Sequence, residues 1–273
     1  MKKNKHKFLQ ETSVKIRKSI LKTIYNAKSG HLGGSLSCVD ILISLYFGKN
    51  LKFDIKKPKI EARDRLIVSK GHATAAYYSV LAHLGFIKLS ELNTYCKNNT
   101  RLATHLSKMV PGVEFDTGSL GHGLGIACGL AFSARLDKKK YKVFALISDG
   151  ELYEGSIWEA LLFASSHKLK NLITIIDRNK QIVMDKTEDC IKIDPLKKKL
   201  ISFGYKVYEI NGHSFKDLEK TFSKIKFDKS HSPNVIIANT IKGKGVSFME
   251  KNLKWHHAIP TKEEFEKAIK ELS

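Results

Sequence analysis

Two short apolar runs constrain the fold more than any other feature. KVFALIS spans residues 142–148 and NLITIID spans 171–177, with a helical pattern at 157–167 between them. Strands covered on both faces read as continuous apolar runs, and parallel neighbours need a crossover of a dozen residues or more, usually a helix. RLIVS at 65–69, the stretch 205–210 and VIIANT at 235–240 repeat the pattern. Apolar strands alternating with helices predict an α/β fold: a doubly wound, mainly parallel sheet with helices on both faces. Helices are expected at 11–29, 39–47, 73–85, 126–136 and, more weakly, 89–98. SGHLGGSLS at 29–37 and the charged stretch 51–63 read as loops. With 273 residues and no low-complexity linker, one domain over 1–273 is expected, with a helical N-terminal segment at about 8–48.

Composition excludes several classes. Apolar residues make up 42% and charged residues 27%, ordinary values for a globular chain, so disorder and fibrous folds drop out. No apolar run approaches the roughly 20 residues that span a bilayer. The basic N-terminus lacks the apolar core of a secretory signal. Four cysteines without Cys-x-x-Cys spacing signal neither a zinc site nor a redox pair, and buried reduced thiols in a cytoplasmic protein are expected. The net charge of +21 invites a nucleic-acid reading, but 42 of the 48 basic residues are lysine and they are scattered, whereas base readout favours arginine. No specific nucleic-acid or membrane partner is expected.

In a parallel sheet, ligands gather beyond the carboxyl ends of the strands. Those ends read Gly71-His72, Asp149-Gly150-Glu151, Arg178-Asn179-Lys180-Gln181, Asn211-Gly212-His213 and Lys242-Gly243-Lys244-Gly245. Asp149 and Asn179 stand 179 − 149 = 30 residues apart, the length of one crossover. On adjacent strands both would reach one rim. A carboxylate, a carboxamide oxygen and a nearby backbone carbonyl are hard ligands suited to Mg²⁺ or Ca²⁺ when a diphosphate adds further oxygens. Gly150 would let backbone approach a phosphate, and the helix after Glu154 would direct its N-terminus there. Gly118, Gly121, Gly123 and Gly125 in TGSLGHGLG allow close approach ahead of a helix. His31, His72, His122 and His213 each follow a glycine, a good way to present an imidazole to an anionic substrate.

These residues resemble the transketolase family. SDGELYEGSIWEALLFASSHKLKNLITIIDRNKQ is similar to the thiamine diphosphate motif, and Glu-Leu-x-Glu-Gly-x-x-Trp-Glu-Ala is characteristic of transketolases. SGHLGGSLS, DRLIVSKGHA, PGVEFDTGSLGHGLGIACG and TIKGKGVSFMEKNLKWHH match further landmarks in the family's order, so the resemblance covers roughly 10–260. It implies the diphosphate-binding domain of the thiamine diphosphate fold. Asp149, Asn179 and the backbone carbonyl of Gln181 would hold Mg²⁺, with Ca²⁺ or Mn²⁺ as substitutes. Gly150 and His72 would contact the diphosphate. Gly118, Ser119 and Leu120 would lie against the cofactor. His31, His105 and His256 would line the substrate channel, His256 also touching the cofactor, and Glu154 would sit at a dimer interface near it. Ser148 replaces the first glycine of the motif, with modest crowding expected, and Leu32 replaces a proline. The step after Trp255 favours His256 over His257 as the channel residue.

A complete transketolase continues for two more domains, one carrying the glutamate that activates the cofactor's aminopyrimidine. The resemblance therefore implies the N-terminal subunit of a split transketolase. A separate C-terminal subunit would carry the pyrimidine-binding domain, in a heterotetramer acting on sugar phosphates in the pentose phosphate pathway. The alternatives are a ketol transferase acting on an unusual sugar, a 2-oxo-acid dehydrogenase of which this would be the alpha-type chain, and a non-catalytic basic binding protein that kept the fold.

Overall fold

A computed structural model describes residues 2–228 and 230–273. Helices α1 (Lys2–Ala27), α2 (Leu32–Ser37) and α3 (Val39–Tyr46) precede strand β1 (Arg65–Val68). Then follow α4 (Thr74–Leu84), α5 (His122–Leu136), β2 (Val143–Ser148), α6 (Gly155–Ser166) and β3 (Leu172–Arg178). The chain continues through α7 (Thr187–Cys190), α8 (Leu196–Ser202), β4 (Lys206–Asn211), α9 (Phe215–Lys226), β5 (Asn234–Asn239) and α10 (Lys262–Glu271). The five strands form one wholly parallel sheet in the order β1-β2-β3-β5-β4.

Strand alternation divides the interior in two. Leu66, Val68, Phe144, Leu146, Ile173 and Ile175 point to one face, where α1, α3, α4 and α9 cover them. Ile67, Val143, Ala145, Ile147, Leu172 and Ile176 point to the other, beneath α5, α6 and α8. Because both faces are buried, successive residues must all be apolar, which is why these strands stand out in the sequence. Strand β4 lies at the sheet edge and is only partly buried, and its sequence KVYEIN is correspondingly mixed. No described helix is long and apolar enough to cross a membrane.

Several expected boundaries move. The first helix starts at Lys2 and stops at Ala27, before Gly30, whose φ of +131° an L side chain rarely adopts. SGHLGGSLS is not a loop throughout: Leu32–Ser37 is a fully buried helical turn and a half. Its glycines look like loop residues because their role is tertiary. A Cβ at Gly34 would come within 2.6 Å of the His72 ring, and one at Gly33 within 2.9 Å of the Lys242 side chain. The weak helix expected at 89–98 is a 3₁₀ segment, Leu89–Thr94. Helix α5 begins four residues earlier than expected, at His122. Helix α10 is an addition to the expected elements, although Thr261 and Glu264 form a reciprocal capping box at its start, a signal legible in sequence.

Candidate active site

Strands β2 and β3 are adjacent, with Ser148 paired to Asp177, so Asp149 and Asn179 emerge side by side. Asp149 is fully buried and Asn179 nearly so. One backbone turn joins their side chains: Lys180 N–H donates to Asp149 Oδ2 at 2.5 Å, and Gln181 N–H donates to Asn179 Oδ1 at 3.1 Å. Gly150 N–H donates to Asp149 Oδ1 at 2.9 Å, and Arg178 Nη1 approaches Oδ2 at 3.3 Å. A carboxylate offers about four acceptor positions, so these three bonds leave one open. Burial raises the Asp149 pKa to about 6, against the pull of Arg178. The guanidinium itself is held by Glu188 at 2.7 Å and Thr187 Oγ1 at 2.9 Å. A divalent cation at this rim would compensate the buried carboxylate directly.

The histidines converge. His31 lies 5.9 Å from His72, 6.4 Å from His105, 5.4 Å from His256 and 4.7 Å from His257, centroid to centroid. His72 and His256 stack at 5.7 Å. Burial, with added repulsion from neighbouring histidines and Lys242, lowers the His31 pKa to about 4. Burial and Lys242 lower that of His256 to about 3. Burial and Lys70 push His72 well below the usual range. These rings are neutral at pH 7, each with one donor and one acceptor nitrogen. His257 joins the cluster beside His256. His213 does not join it. Its Nδ1 meets Asp40 at 2.7 Å, Asp40 takes both guanidinium nitrogens of Arg17 at 3.0 and 2.8 Å, and Ile241 N–H donates to His213 Nε2 at 2.9 Å. His213 thus fastens the chain after β5, and the expectation that it faces a substrate is corrected. His122 is exposed at the start of α5.

The loop before α5 borders the same space. A Cβ at Gly71 would fall 2.6 Å from Gly118 Cα, and one at Gly118 would meet the His105 ring at 3.0 Å. Ser119 is exposed and Leu120 half-buried beyond Gly118. Gly121 follows with φ +89° and packs against Glu154, itself an exposed residue at the start of α6. Gly150 also sits in a tight place, since a Cβ there would lie 2.8 Å from Ile182 Cγ2.

Three neighbours carry buried charges whose burial the sequence does not show. Glu151 is fully buried and accepts from Ser69 Oγ, from Gly121 N–H at 2.9 Å and from Ser148 N–H at 3.2 Å, tying the glycine loop to two strand ends. Lys70 is fully buried and bonds Asp177, with Gly34 O at 2.9 Å. Lys242 is 2% exposed, donates to Ile182 O at 2.7 Å, and has its pKa lowered to about 8 by burial and by Lys70. Its TIKGKG setting is visible in the sequence, but a lysine after a strand carries no mark of burial.

The residues fit a metal-bound diphosphate. Buried polar atoms without a protein partner include His31 Nδ1 and His256 Nδ1 of the histidine cluster, and Gln181 Oε1. Gly34, Gly71, Gly118 and Gly150 keep backbone close by, and the oxygen donors at 149 and 179 are of the hard type Mg²⁺ prefers.

Residues 10–272 match the family described as transketolase, thiamine diphosphate binding domain. The chain is 41% identical over 265 residues to an apulose-4-phosphate transketolase subunit of Phocaeicola vulgatus, covering 97% of this chain and 94% of that one. It is 37% identical to a 6-deoxy-6-sulfo-D-fructose transketolase subunit of a Clostridium species, covering 97% and 96%. The crystal structure of transketolase from Campylobacter jejuni superimposes with a TM-score of 0.91 at 32% identity, over 97% of this chain but 43% of that one. The chain therefore spans less than half the length of that transketolase. This protein belongs to the transketolase family and carries its thiamine diphosphate binding domain.

Proposed function

We propose that the chain is the N-terminal subunit of a two-subunit transketolase, moving a two-carbon ketol unit from a ketose phosphate to an aldose phosphate. The match to relatives that are themselves named as subunits carries this reading. The chain matches relatives named as transketolase subunits almost end to end, yet spans less than half of a one-chain transketolase. A C-terminal subunit would supply the pyrimidine-binding domain, in a heterotetramer with two copies of each. The names of the two relatives, apulose-4-phosphate and 6-deoxy-6-sulfo-D-fructose transketolase subunits, favour an unusual sugar phosphate as substrate. Four free cysteines suit a reducing cytoplasm.

Asp149, Asn179 and the backbone carbonyl of Gln181 would hold Mg²⁺, with Gly150 and His72 beside the diphosphate and Gly118, Ser119 and Leu120 along the cofactor. Thiamine diphosphate, when bound, supplies the nucleophilic carbon and the electron sink for two-carbon transfer. The chain's own residues orient the sugar and move protons. His31 and His256, kept neutral by burial, can each donate to one hydroxyl and accept from another. His105, between His31 and Gly118, extends that surface. Lys242 and Lys70 bring positive charge toward an anionic ligand. Glu154 faces the partner side.

Reconstitution tests the reading. The purified chain alone is expected to be inactive on ketose phosphates. Adding the C-terminal subunit restores ketol transfer. Robust turnover by the isolated chain would refute the split arrangement.

A further inference from the structure

A cavity of about 1620 Å³ contains none of the candidate active-site residues. Asp64 and Lys142, which line it, immediately precede β1 and β2, so it opens at the amino ends of the strands. The candidate site lies at the carboxyl ends, roughly 20 Å away along six-residue β2 at about 3.3 Å per residue. The walls come from the start of α1, the loop after α3 and the exposed side of α9.

Nine lysines line this cavity, against two carboxylates and no arginine. Both carboxylates are already used. Glu219 takes Lys5 at 2.7 Å and His6 at 2.8 Å. Asp64 takes the backbone N–H groups of Lys52 and Lys142, each at 2.8 Å. Of the nine lysines, only Lys5 has an ion-pair partner among the described residues. Lys142 is half-buried, and burial lowers its pKa against the pull of Asp64, with a smaller push from Lys226. Lys216, Lys220 and Lys224 recur every four residues of α9 and so stand in one row. Phe8, Phe47, Phe53 and Phe227 lie among the lysines, while Phe144 and Phe222 belong to the buried core.

Like charges gathered in a concave surface repel one another unless an anion joins them. Lysine binds phosphate as a point charge. The volume exceeds the roughly 300–1,000 Å³ of ordinary small-molecule pockets, leaving room for several phosphates and a flat body together. Aromatic side chains offer such a body a stacking surface.

We infer that this cavity is an anion site separate from the active site. It takes an organic polyphosphate whose flat portion rests on the phenylalanines and whose phosphates meet Lys142, Lys220 and Lys224.

Calorimetric titration of the full chain with ATP, and separately with inorganic tripolyphosphate, tests this. ATP is expected to bind in the micromolar range and more tightly than tripolyphosphate. The double variant Lys142→Gln/Lys224→Gln, with its fold checked by circular dichroism, should weaken ATP binding about tenfold or more, close to 1.4 kcal/mol. Lys170→Gln/Lys267→Gln removes the same charge from exposed positions outside the cavity and should change it less than about twofold. Equal weakening in both double variants would show a general charge effect and overturn the site. Absence of binding at millimolar ATP would overturn it too. Tripolyphosphate binding as tightly as ATP would remove the aromatic half of the proposal. Tighter binding of a single-stranded RNA oligonucleotide than of ATP, at physiological salt, would replace a small-molecule site with a polymer-binding surface.

Discussion

The ammonium of Lys70 and the carboxylate of Asp177 form an ion pair in which both side chains are wholly buried. Asp177 also accepts from Ser37 Oγ at 2.6 Å and from Thr240 Oγ1, while Lys70 donates to Gly34 O at 2.9 Å. One charge pair thus joins the ends of β1 and β3, helix α2 and the residue after β5, beneath the candidate active site. Asp177 lowers the cost of burying Lys70 and the lysine holds the carboxyl below its ordinary pKa range.

Removing one partner of such a pair leaves the other charged and unsolvated, at a cost of about 3–5 kcal/mol. Lys70→Met is therefore expected to lower stability by about that amount. Urea denaturation followed by tryptophan fluorescence measures it. A loss within about 0.5 kcal/mol of wild type, the range of an ordinary surface change, would contradict the structural role.

The histidine cluster sets a direction for pH dependence. His31, His72 and His256 have folded pKa values below the 6.5 of an exposed histidine. Above pH 6.5 both folded and unfolded chains hold these rings neutral. Below it the unfolded chain binds protons that the folded one refuses, so stability falls, and continues to fall toward pH 4. Thermal midpoints are expected to drop from pH 7 to pH 5, and less so in His31→Asn/His256→Asn. An unchanged pH slope in that variant would show that other groups carry the effect.

Close backbone packing predicts a defect of a different kind. Gly71→Ala places a methyl 2.6 Å from Gly118 Cα, a contact that only a shift of the glycine loop relieves. Overpacking of this sort costs about 1–3 kcal/mol. Because Gly118 to Leu120 border the proposed cofactor, thiamine diphosphate affinity should fall by about tenfold while the circular dichroism spectrum stays native. Fluorescence titration with the cofactor and Mg²⁺ reads the change, and an unaltered affinity would place the cofactor elsewhere.

The central strands are legible because burial on both faces writes itself as uninterrupted apolar runs, as in VFALIS and LITIID. Asp149 and Asn179 are legible because spacing across one crossover, with topology, dictates adjacency. The rest depends on contacts distant in sequence. Helix α2 looks like a loop because its glycines serve the His72 and Lys242 side chains rather than local propensity. Glu151, Lys70 and Lys242 look like surface charges, since burial of a charge becomes intelligible only when its partners, from chain segments up to 107 residues away, are known. The same limit hides the lysine-lined cavity, whose residues come from several separate segments and read along the chain as scattered charge.

Asp149 as a metal ligand stands or falls on metal-dependent binding of the cofactor. Isothermal titration of the chain with thiamine diphosphate, with and without Mg²⁺, is to be compared between wild type and Asp149→Ala. Affinity should rise with Mg²⁺ in the wild type, and the variant should keep its fold but lose the metal-dependent gain. Equal affinity in the two proteins, with the same response to Mg²⁺, would contradict it.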